Sequence, residues 1–249
     1  MINLTQEDEI AILKLNRPDK RNALHPSMIQ QITESVKELS NSGKSKALII
    51  TGEGSAFCAG ADLEYLNSML NYSSIENEKD SERLAEMFLS IYNLDIPTIA
   101  AVNGPAIAGG CGLASVCDFI VADSEKAKFG YTEVKIGFIP AIVSIFLMKR
   151  VGEGNTKRLL LSGEMLDAAE AHRIGLADFV TEKVLDESLS LARKILLNSL
   201  TSYSLTKKML NNISSMNVED AVKYCIQLNT LARSSEDFKE RIKKFLNKL

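Results

Sequence analysis

A glycine-rich segment at residues 103–112 constrains the fold of this chain more than any other feature. An apolar run at residues 97–102 precedes it and predicts a buried strand, and the apolar residues 113–116 predict the start of a buried helix. Gly109 and Gly110 have no side chain that would keep a ligand away from the backbone, and the first N–H groups of a helix lack internal partners. The segment can therefore bind negative charge through its backbone.

The glycine spacing does not match two common phosphate-binding loops. A dinucleotide-binding loop reads Gly-x-Gly-x-x-Gly, whereas this segment reads Asn-Gly-Pro-Ala-Ile-Ala-Gly-Gly-Cys-Gly, and no Walker lysine follows it. A tight strand-to-helix turn that binds nothing explains the glycines equally well. This segment alone leaves the ligand open.

A second segment of the same kind follows another predicted strand. The β-type run at residues 47–51 leads into the small residues of segment 52–61, after which a helix is predicted to begin. Cys58 and Cys111 lie in the two segments and are expected to pack as small apolar residues rather than to act as nucleophiles. Two such turns after neighbouring strands can direct two backbone N–H groups at one oxygen, which is the geometry of an oxyanion hole.

Three motifs in this order resemble the enoyl-CoA hydratase/isomerase family, also called the crotonase family. They are Phe-Cys-Ala-Gly-Ala-Asp at residues 57–62, Asn-Gly-Pro-Ala-Ile-Ala-Gly-Gly-Cys at residues 103–111, and Phe-Gly-Tyr-Thr-Glu at residues 129–133, followed by Gly137 and Pro140. The resemblance covers essentially the whole chain. It looks most like short-chain enoyl-CoA hydratases, such as those acting on methylglutaconyl-CoA. It implies an acyl-CoA substrate and no separate cofactor, because coenzyme A is part of the substrate.

Alternating strands and helices predict an α/β core. The resemblance implies a crotonase-like superhelix of ββα units at residues 1–185 and a C-terminal helical region at residues 186–249. Within the core, the polar residues 71–80 are predicted to form a mobile surface loop before a helix near residues 82–93.

The C-terminal helical region carries apolar stripes that we expect to be only partly covered within one chain. In the resembling family such helices support oligomerisation and cover the active site, which implies a homotrimer or homohexamer; packing within the chain is the alternative. The stripes are Leu185, Leu189, Ala192 and Leu196, and then Phe238, Ile242, Phe245 and Leu249.

By motif position, the resemblance gives the catalytic roles to Ala61, Gly109 and Glu133. The N–H groups of Ala61 and Gly109 would bind the thioester oxygen, and Glu133 would carry the proton. Apolar surroundings can raise the pKa of a glutamate towards neutrality, as proton transfer requires. The alternative for Glu133 is an ordinary surface glutamate beside Lys135.

The resemblance also implies substrate contacts at other positions. Lys20 and Arg21 lie in a cationic turn, which either pairs with the phosphates of coenzyme A or is simply solvated. The complete set of predicted substrate-binding residues is Lys20, Arg21, Ala23, Ala59, Asp62, Leu63, Gly110 and Gly112.

Gly112 departs from the pattern of the family. Hydratases usually carry a second glutamate here, and hydration is commonly pictured with one carboxylate holding water and the other handling the C2 proton. Family members with one glutamate include enoyl-CoA isomerases. Hydration is our expectation from the overall resemblance, and Δ3–Δ2 isomerisation or acyl-CoA binding without turnover is the alternative.

Composition and charge argue against several other classes. The net charge of −3 argues against nucleic-acid binding, including that of the RNA-binding branch of the family. No apolar run approaches the ~20 residues of a membrane span, and the acidic N-terminus is unlike a signal peptide. The four cysteines show no metal-site spacing. We therefore expect no metal, no nucleic acid and no membrane association, and a cytoplasmic location.

Overall fold

Nine strands form two sheets in residues 1–247, the part of the chain that this computed structural model describes. Leu249 of the last predicted stripe lies outside these residues. The larger sheet has the order β1-β2-β3-β4-β6-β9 and is parallel except at β1, and the smaller has the order β5-β7-β8. The strands are β1 Ile2–Glu7, β2 Ile10–Leu15, β3 Ala47–Gly52, β4 Thr98–Val102, β5 Ala106–Ile107, β6 Phe119–Asp123, β7 Lys128–Gly130, β8 Met165–Asp167 and β9 Phe179–Thr181.

Helices connect the strands and then continue alone to the end of the described chain. They are α1 Pro26–Ser42, α2 Leu63–Ser68, α3 Ser74–Tyr92, α4 Gly109–Ser115, α5 Ala141–Ser162, α6 Ala168–Arg173, α7 Val184–Leu196, α8 Leu200–Ile213, α9 Val218–Ser234 and α10 Glu236–Leu246. Three 3-10 turns occur at Pro18–Lys20, Met69–Asn71 and Glu133–Ile136. The backbone of α5 is kinked at Gly152, where φ is 72°.

The core repeats one unit along the chain. Each unit consists of a strand of the large sheet, a short extended piece in a second layer and a helix. The units β4-β5-α4 and β6-β7-α5 show this order most clearly. Leu24 and Cys58 occupy the second-layer place after β2 and β3, where they form bridges to Ala61 and Ala106. The predicted α/β core of ββα units is confirmed, and its stacking brings the turns after successive strands together.

Both faces of the large sheet are covered by apolar side chains. One face packs against α1, α3, α4 and α5, and the other packs against Val184, Leu189 and Ala192 of α7. Within the stripe at residues 185–196, Leu189 and Ala192 are buried against the sheet, whereas Leu185 and Leu196 are only partly buried. The stripe is therefore only partly covered within the described chain, as expected, and what covers it is the sheet. The predicted boundary at residue 186 falls within the first turn of α7.

The polar segment at residues 71–80 was expected to be a loop, but most of it belongs to α3. This helix begins at Ser74 because Ser73 and Glu76 form a capping box, in which each side chain accepts a hydrogen bond from the backbone N–H of the other residue. The Ser-x-x-Glu signal is present in the sequence. Similarly, α4 begins at Gly109 rather than at residue 113.

The first of the last three helices, α8, attaches to the core through polar contacts. One oxygen of Asp118, Oδ2, accepts hydrogen bonds from the N–H and hydroxyl of Thr98, from Tyr203 and from Lys207. Within the described chain, no residue after Leu196 belongs to either buried apolar cluster. Helices α9 and α10 instead expose large apolar side chains, among them Val222, Ile226, Phe238, Ile242 and Phe245. No helix of the described chain is long and apolar enough to cross a bilayer.

Candidate active site

The two glycine-containing segments lie against each other beyond the ends of β3 and β4. The Ile107 N–H donates to the Cys58 carbonyl at 2.9 Å. A Cβ placed on Gly110 would lie only 2.1 Å from the Cys58 carbonyl oxygen. Glycine at position 110 is therefore required by the close approach of the two segments. The sequence interpretation had instead attributed the lack of a side chain at this position to the approach of a ligand.

A second close approach brings the two predicted N–H donors into one neighbourhood. A Cβ on Gly60 would lie 3.1 Å from the Cβ of Ala108, and Gly60 also has a φ of 85°. Ala61 follows Gly60, and Gly109 follows Ala108. The backbone at Ala61 thus runs beside the backbone at Gly109.

Neither N–H group is used by the fold. Leu24 bonds to the carbonyl of Gly60 and to the N–H of Asp62, so the N–H of Ala61 between them points away from Leu24. Gly109 is the first residue of α4, where an N–H has no partner inside the helix. Within residues 1–247, neither group donates a hydrogen bond. Two unpaired donors can therefore meet an oxygen that arrives from solvent.

The backbone immediately before Gly109 is strained. Ala108 has φ 51° and ψ −119°, which is uncommon for a residue with a side chain. The Ala108 N–H donates to the Gly130 carbonyl at 2.7 Å, which holds this conformation. Strain of this kind persists where the surroundings enforce it and is concentrated at functional sites.

Glu133 lies near these loops in an apolar setting. It begins the 3-10 turn that follows β7, and that strand pairs with β5. The side chain is buried, with 7% of its surface exposed, and its Oε2 has no hydrogen-bond partner in the described chain. Burial raises the pKa of Glu133 above its ordinary value. An unpaired carboxyl group with a raised pKa is suited to accept and return a proton near neutral pH.

Cys111 joins three parts of the site. Its Sγ donates to the Ala106 carbonyl at 2.8 Å and accepts from the Gly130 N–H at 3.2 Å. Burial raises the pKa of Cys58 to about 12 and also raises that of Cys111. Neither thiol is a nucleophile near neutral pH, in agreement with the packing role expected from the sequence.

The cationic turn contains one cation that is not solvated. The guanidinium of Arg17 donates to Asp62 at 2.8 Å and to the Ala23 carbonyl at 2.9 Å. Asp62 also caps α2 by accepting from the N–H groups of Glu64 and Tyr65. Burial alone would raise the pKa of Asp62, but the bonds from Arg17 and from these N–H groups lower it below its ordinary value. The carboxylate of Asp62 thus supports the loop that contains Ala61.

Lys20 and Arg21 lie beside the first loop. The Ala59 N–H donates to the Arg21 carbonyl at 3.0 Å, which ties the turn to the loop. Lys20 pairs with Glu64 at 2.6 Å on the surface. Both cations remain reachable from solvent, and their predicted contact with phosphate stays a prediction.

The other predicted contact residues differ widely in exposure. Leu63, the first residue of α2, is 78% exposed, whereas Ala23 is buried and Ala59 is half-buried. Their contacts with substrate stay predictions. Within the described chain, no group of three or more His, Cys, Asp or Glu side chains could hold a metal ion.

Gly112 is buried and lies one helical turn after Gly109 in α4. A Cβ at this position would lie 2.3 Å from Cγ1 of Val143 and 3.1 Å from Cζ of Phe88. These two side chains fill the space beside Gly112. Sequence reasoning did not find them, because their approach depends on how α3 and α5 pack against α4.

Comparison with known proteins agrees with this geometry. Residues 5–249 match the family model described as enoyl-CoA hydratase/isomerase. The chain is 35% identical over 251 residues to crotonyl-CoA hydratase of Syntrophomonas wolfei subsp. wolfei, with 99% of this chain and 95% of that protein covered. It is 32% identical over 249 residues to short-chain-enoyl-CoA hydratase of Clostridium acetobutylicum, with 98% of this chain and 94% of that protein covered.

The fold also matches solved structures. A crystal structure from Legionella pneumophila, described as an enoyl-CoA hydratase/isomerase (crotonase), has a TM-score of 0.91 and 31% identity. The match covers 99% of this chain and 96% of that chain. The crotonase-like fold with a C-terminal helical region, expected from the sequence motifs, is confirmed.

Proposed function

The chain belongs to the enoyl-CoA hydratase/isomerase family, and we propose that it hydrates short-chain enoyl-CoA thioesters without a separate cofactor. The observation that carries the proposal is the free carboxyl oxygen of Glu133, which follows the strand paired with β5, together with the unpaired N–H groups of Ala61 and Gly109. The names of the relatives from Syntrophomonas and Clostridium support hydration rather than another reaction of the family.

In the proposed reaction, backbone N–H groups stabilise the negative charge and Glu133 transfers the protons. Water adds to C3 of the enoyl group, and the thioester oxygen gains negative charge as the enolate forms. The N–H groups of Ala61 and Gly109 donate to that oxygen. Glu133 takes a proton from the water and returns a proton to C2, so that the product is the 3-hydroxyacyl thioester. Its raised pKa favours both transfers.

We propose that Lys20 and Arg21 bind the phosphates of the coenzyme A portion. Support comes from the hydrogen bond that ties this turn to Ala59 and from the exposure of both cations. We propose further substrate contacts at Ala23, Ala59, Leu63 and Gly110. Asp62 would act through the loop, because its carboxylate is occupied by Arg17 and the cap of α2.

Δ3–Δ2 isomerisation is a second candidate, favoured by the packing around Gly112. Moving a proton from C2 to C4 requires one base and no water. Hydration with two carboxylates would require a second acid near the site, and Val143 and Phe88 fill the space beside Gly112. Glu64, which lies in the first turn of α2 just after the first loop, is paired with Lys20.

The test compares wild type and Glu133→Gln on crotonyl-CoA and on trans-3-hexenoyl-CoA. The proposal expects crotonyl-CoA to be hydrated to 3-hydroxybutyryl-CoA, and Glu133→Gln to lower turnover by about 10²–10⁴ while acyl-CoA affinity is kept. Isomerisation of the 3-enoyl substrate without hydration would establish the second candidate. Tight acyl-CoA binding with neither product would establish a binding protein. Wild-type turnover by Glu133→Gln would overturn the role of Glu133.

For assembly, we propose a homotrimer, which can pair into a homohexamer. Support comes from the exposed apolar side chains of α9 and α10, which are not covered within the described chain. Sedimentation of the chain as a monomer at micromolar concentration would contradict this. The cytoplasmic location and the absence of a nucleic-acid partner stay predictions.

A further inference from the structure

We infer that Val143 is a specificity-determining residue, because it occupies the space into which any side chain at position 112 would extend. A Cβ on Gly112 would lie 2.3 Å from Cγ1 and 3.1 Å from Cβ of Val143. Carbon atoms in favourable contact are about 3.5–4.0 Å apart. Any side chain at position 112 therefore overpacks this space while valine is present at position 143. The packing argument stands alone, and the chemical argument rests on the proposed function.

The position of this contact connects it to the reaction. Gly112 lies three residues after Gly109 in α4, and residues at this spacing share a helix face. Val143 lies in the first turn of α5, which contacts both α4 and the 3-10 turn that begins at Glu133. The contact between Gly112 and Val143 is thus held between the helix that begins at the proposed oxyanion donor and the segment that carries the proposed acid.

The side chains at this contact are apolar. Phe88 lies beside Val143, with its Cζ 3.1 Å from the same Cβ position, and packs edge-on against Phe146. Neither Val143 nor Phe88 can hold a water by hydrogen bonds or transfer a proton. Val143 thereby disfavours a carboxylate at position 112, and in the proposed reaction Glu133 is the one proton carrier. The division between water addition and simple proton exchange at C2 then depends on Val143 and Gly112 together.

The packing is tested by the effect of Gly112→Ala on Tm, which should change sign when the side chain of Val143 is removed. Gly112→Ala should lower the Tm of the wild type by roughly 3–10 °C, because it overpacks a filled space. In a Val143→Gly background the same change should leave the Tm unchanged or raise it, since alanine is the better helix former. The control is Gly154→Ala, at a helical glycine of α5 with no neighbour within 4 Å, which should not lower the Tm in either background. Equal losses for Gly112→Ala in both backgrounds would overturn the inference.

The chemistry is tested by Gly112→Glu in the same two backgrounds. Two rates are measured: hydration of crotonyl-CoA, and deuterium exchange at C2 of butyryl-CoA in heavy water, which needs no water addition. We expect the ratio of hydration to exchange to rise about tenfold or more only in the double variant. Ile145→Gly replaces Val143→Gly as a control, because Ile145 is exposed on the same helix. Ile145→Gly weakens α5 without opening the space beside Gly112. Combined with Gly112→Glu, it should not raise the ratio of hydration to exchange.

The outcomes separate the inference from the proposed function. A folded double variant whose ratio equals that of the wild type would overturn the role of Val143 in specificity. A wild type that neither hydrates crotonyl-CoA nor exchanges the C2 proton of butyryl-CoA would overturn the proposed function. In that case the Tm measurements still decide the packing inference. If the effect of Gly112→Ala reverses in the Val143→Gly background, Val143 restricts position 112; if the effect does not reverse, this restriction is refuted.

Discussion

Arg17→Met should destabilise the protein by about 3–5 kcal/mol, the usual cost of removing one partner of a buried ion pair. Arg17 and Asp62 are 2.8 Å apart, and their side chains are 15% and 4% exposed. Methionine keeps much of the apolar stem but donates no hydrogen bond. The Asp62 carboxylate would remain buried without its guanidinium, and the Ala23 carbonyl would also lose its donor.

The expected loss in Tm is about 6–20 °C, because 1 kcal/mol corresponds to roughly 2–4 °C in a chain of this size. Urea and thermal unfolding at pH 7 measure it. The pKa of Asp62 is below its ordinary value in the folded protein, so this group contributes stability above its unfolded pKa, and that stability is lost as pH falls through the folded pKa. The difference between wild type and variant should therefore be largest near neutral pH and shrink below about pH 4.

Lys37→Met provides a matched control, because Lys37 and Glu86 form an ion pair whose side chains are 57% and 56% exposed. Its removal should cost about 0–1 kcal/mol. The double variant Arg17→Met/Asp62→Asn should recover part of the loss, since the unpaired buried charge is gone. If Arg17→Met costs no more than Lys37→Met, the ion pair does not stabilise the loop that contains Ala61, and the reasoning is refuted.

Glu133→Gln should raise the Tm at pH 8 but not at pH 4. Burial raises the pKa of Glu133 in the folded protein, so the wild type loses stability as pH rises through that pKa. An unchanged Tm at pH 8 would contradict this. Lys20→Ala/Arg21→Ala should weaken binding of acyl-CoA more than binding of acyl-pantetheine by calorimetry, and equal effects would show a merely solvated turn. Cys58, Cys111 and Cys117 are buried with raised pKa values, so a thiol-specific disulfide reagent should reach them only after unfolding. Rapid reaction of all four cysteines in the folded protein would be inconsistent with that burial.

The backbone of the site could be predicted because its signals are local. An apolar run followed by small residues indicates where a strand ends and a loop begins, and this placed Ala61 and Gly109 in the two segments that the structure brings together. Gly110 was predicted to leave room for a ligand, whereas in the structure its lack of a side chain makes room for the carbonyl of Cys58. The assignment of Glu133 depended on the family motif, because its burial is not visible in the sequence.

Contacts between distant segments could not be predicted. No local pattern indicates that Arg17, close to Lys20 and Arg21 in the chain, pairs with Asp62 in another loop. Val143 and Phe88 fill the space at Gly112 because of the way in which α3, α4 and α5 pack together. The apolar pattern of each helix does not indicate which of its side chains meets position 112. The start of α3 is a different case, since its capping signal is local and was outweighed by the polar composition.

The polar attachment of α8, α9 and α10 bears on how the protein unfolds. Burial of apolar surface makes distant parts of a chain unfold together, and within the described residues α8 to α10 contribute nothing to either apolar cluster. Tyr203 and Lys207 of α8 bind Asp118 instead, and α9 and α10 are joined to α8 in series. An isolated chain should therefore open them as a separate cooperative unit, with faster amide exchange than the sheet. If these helices contact another copy of the chain, they should unfold together with the sheet. The rate at which the C-terminal helices open would then depend on assembly.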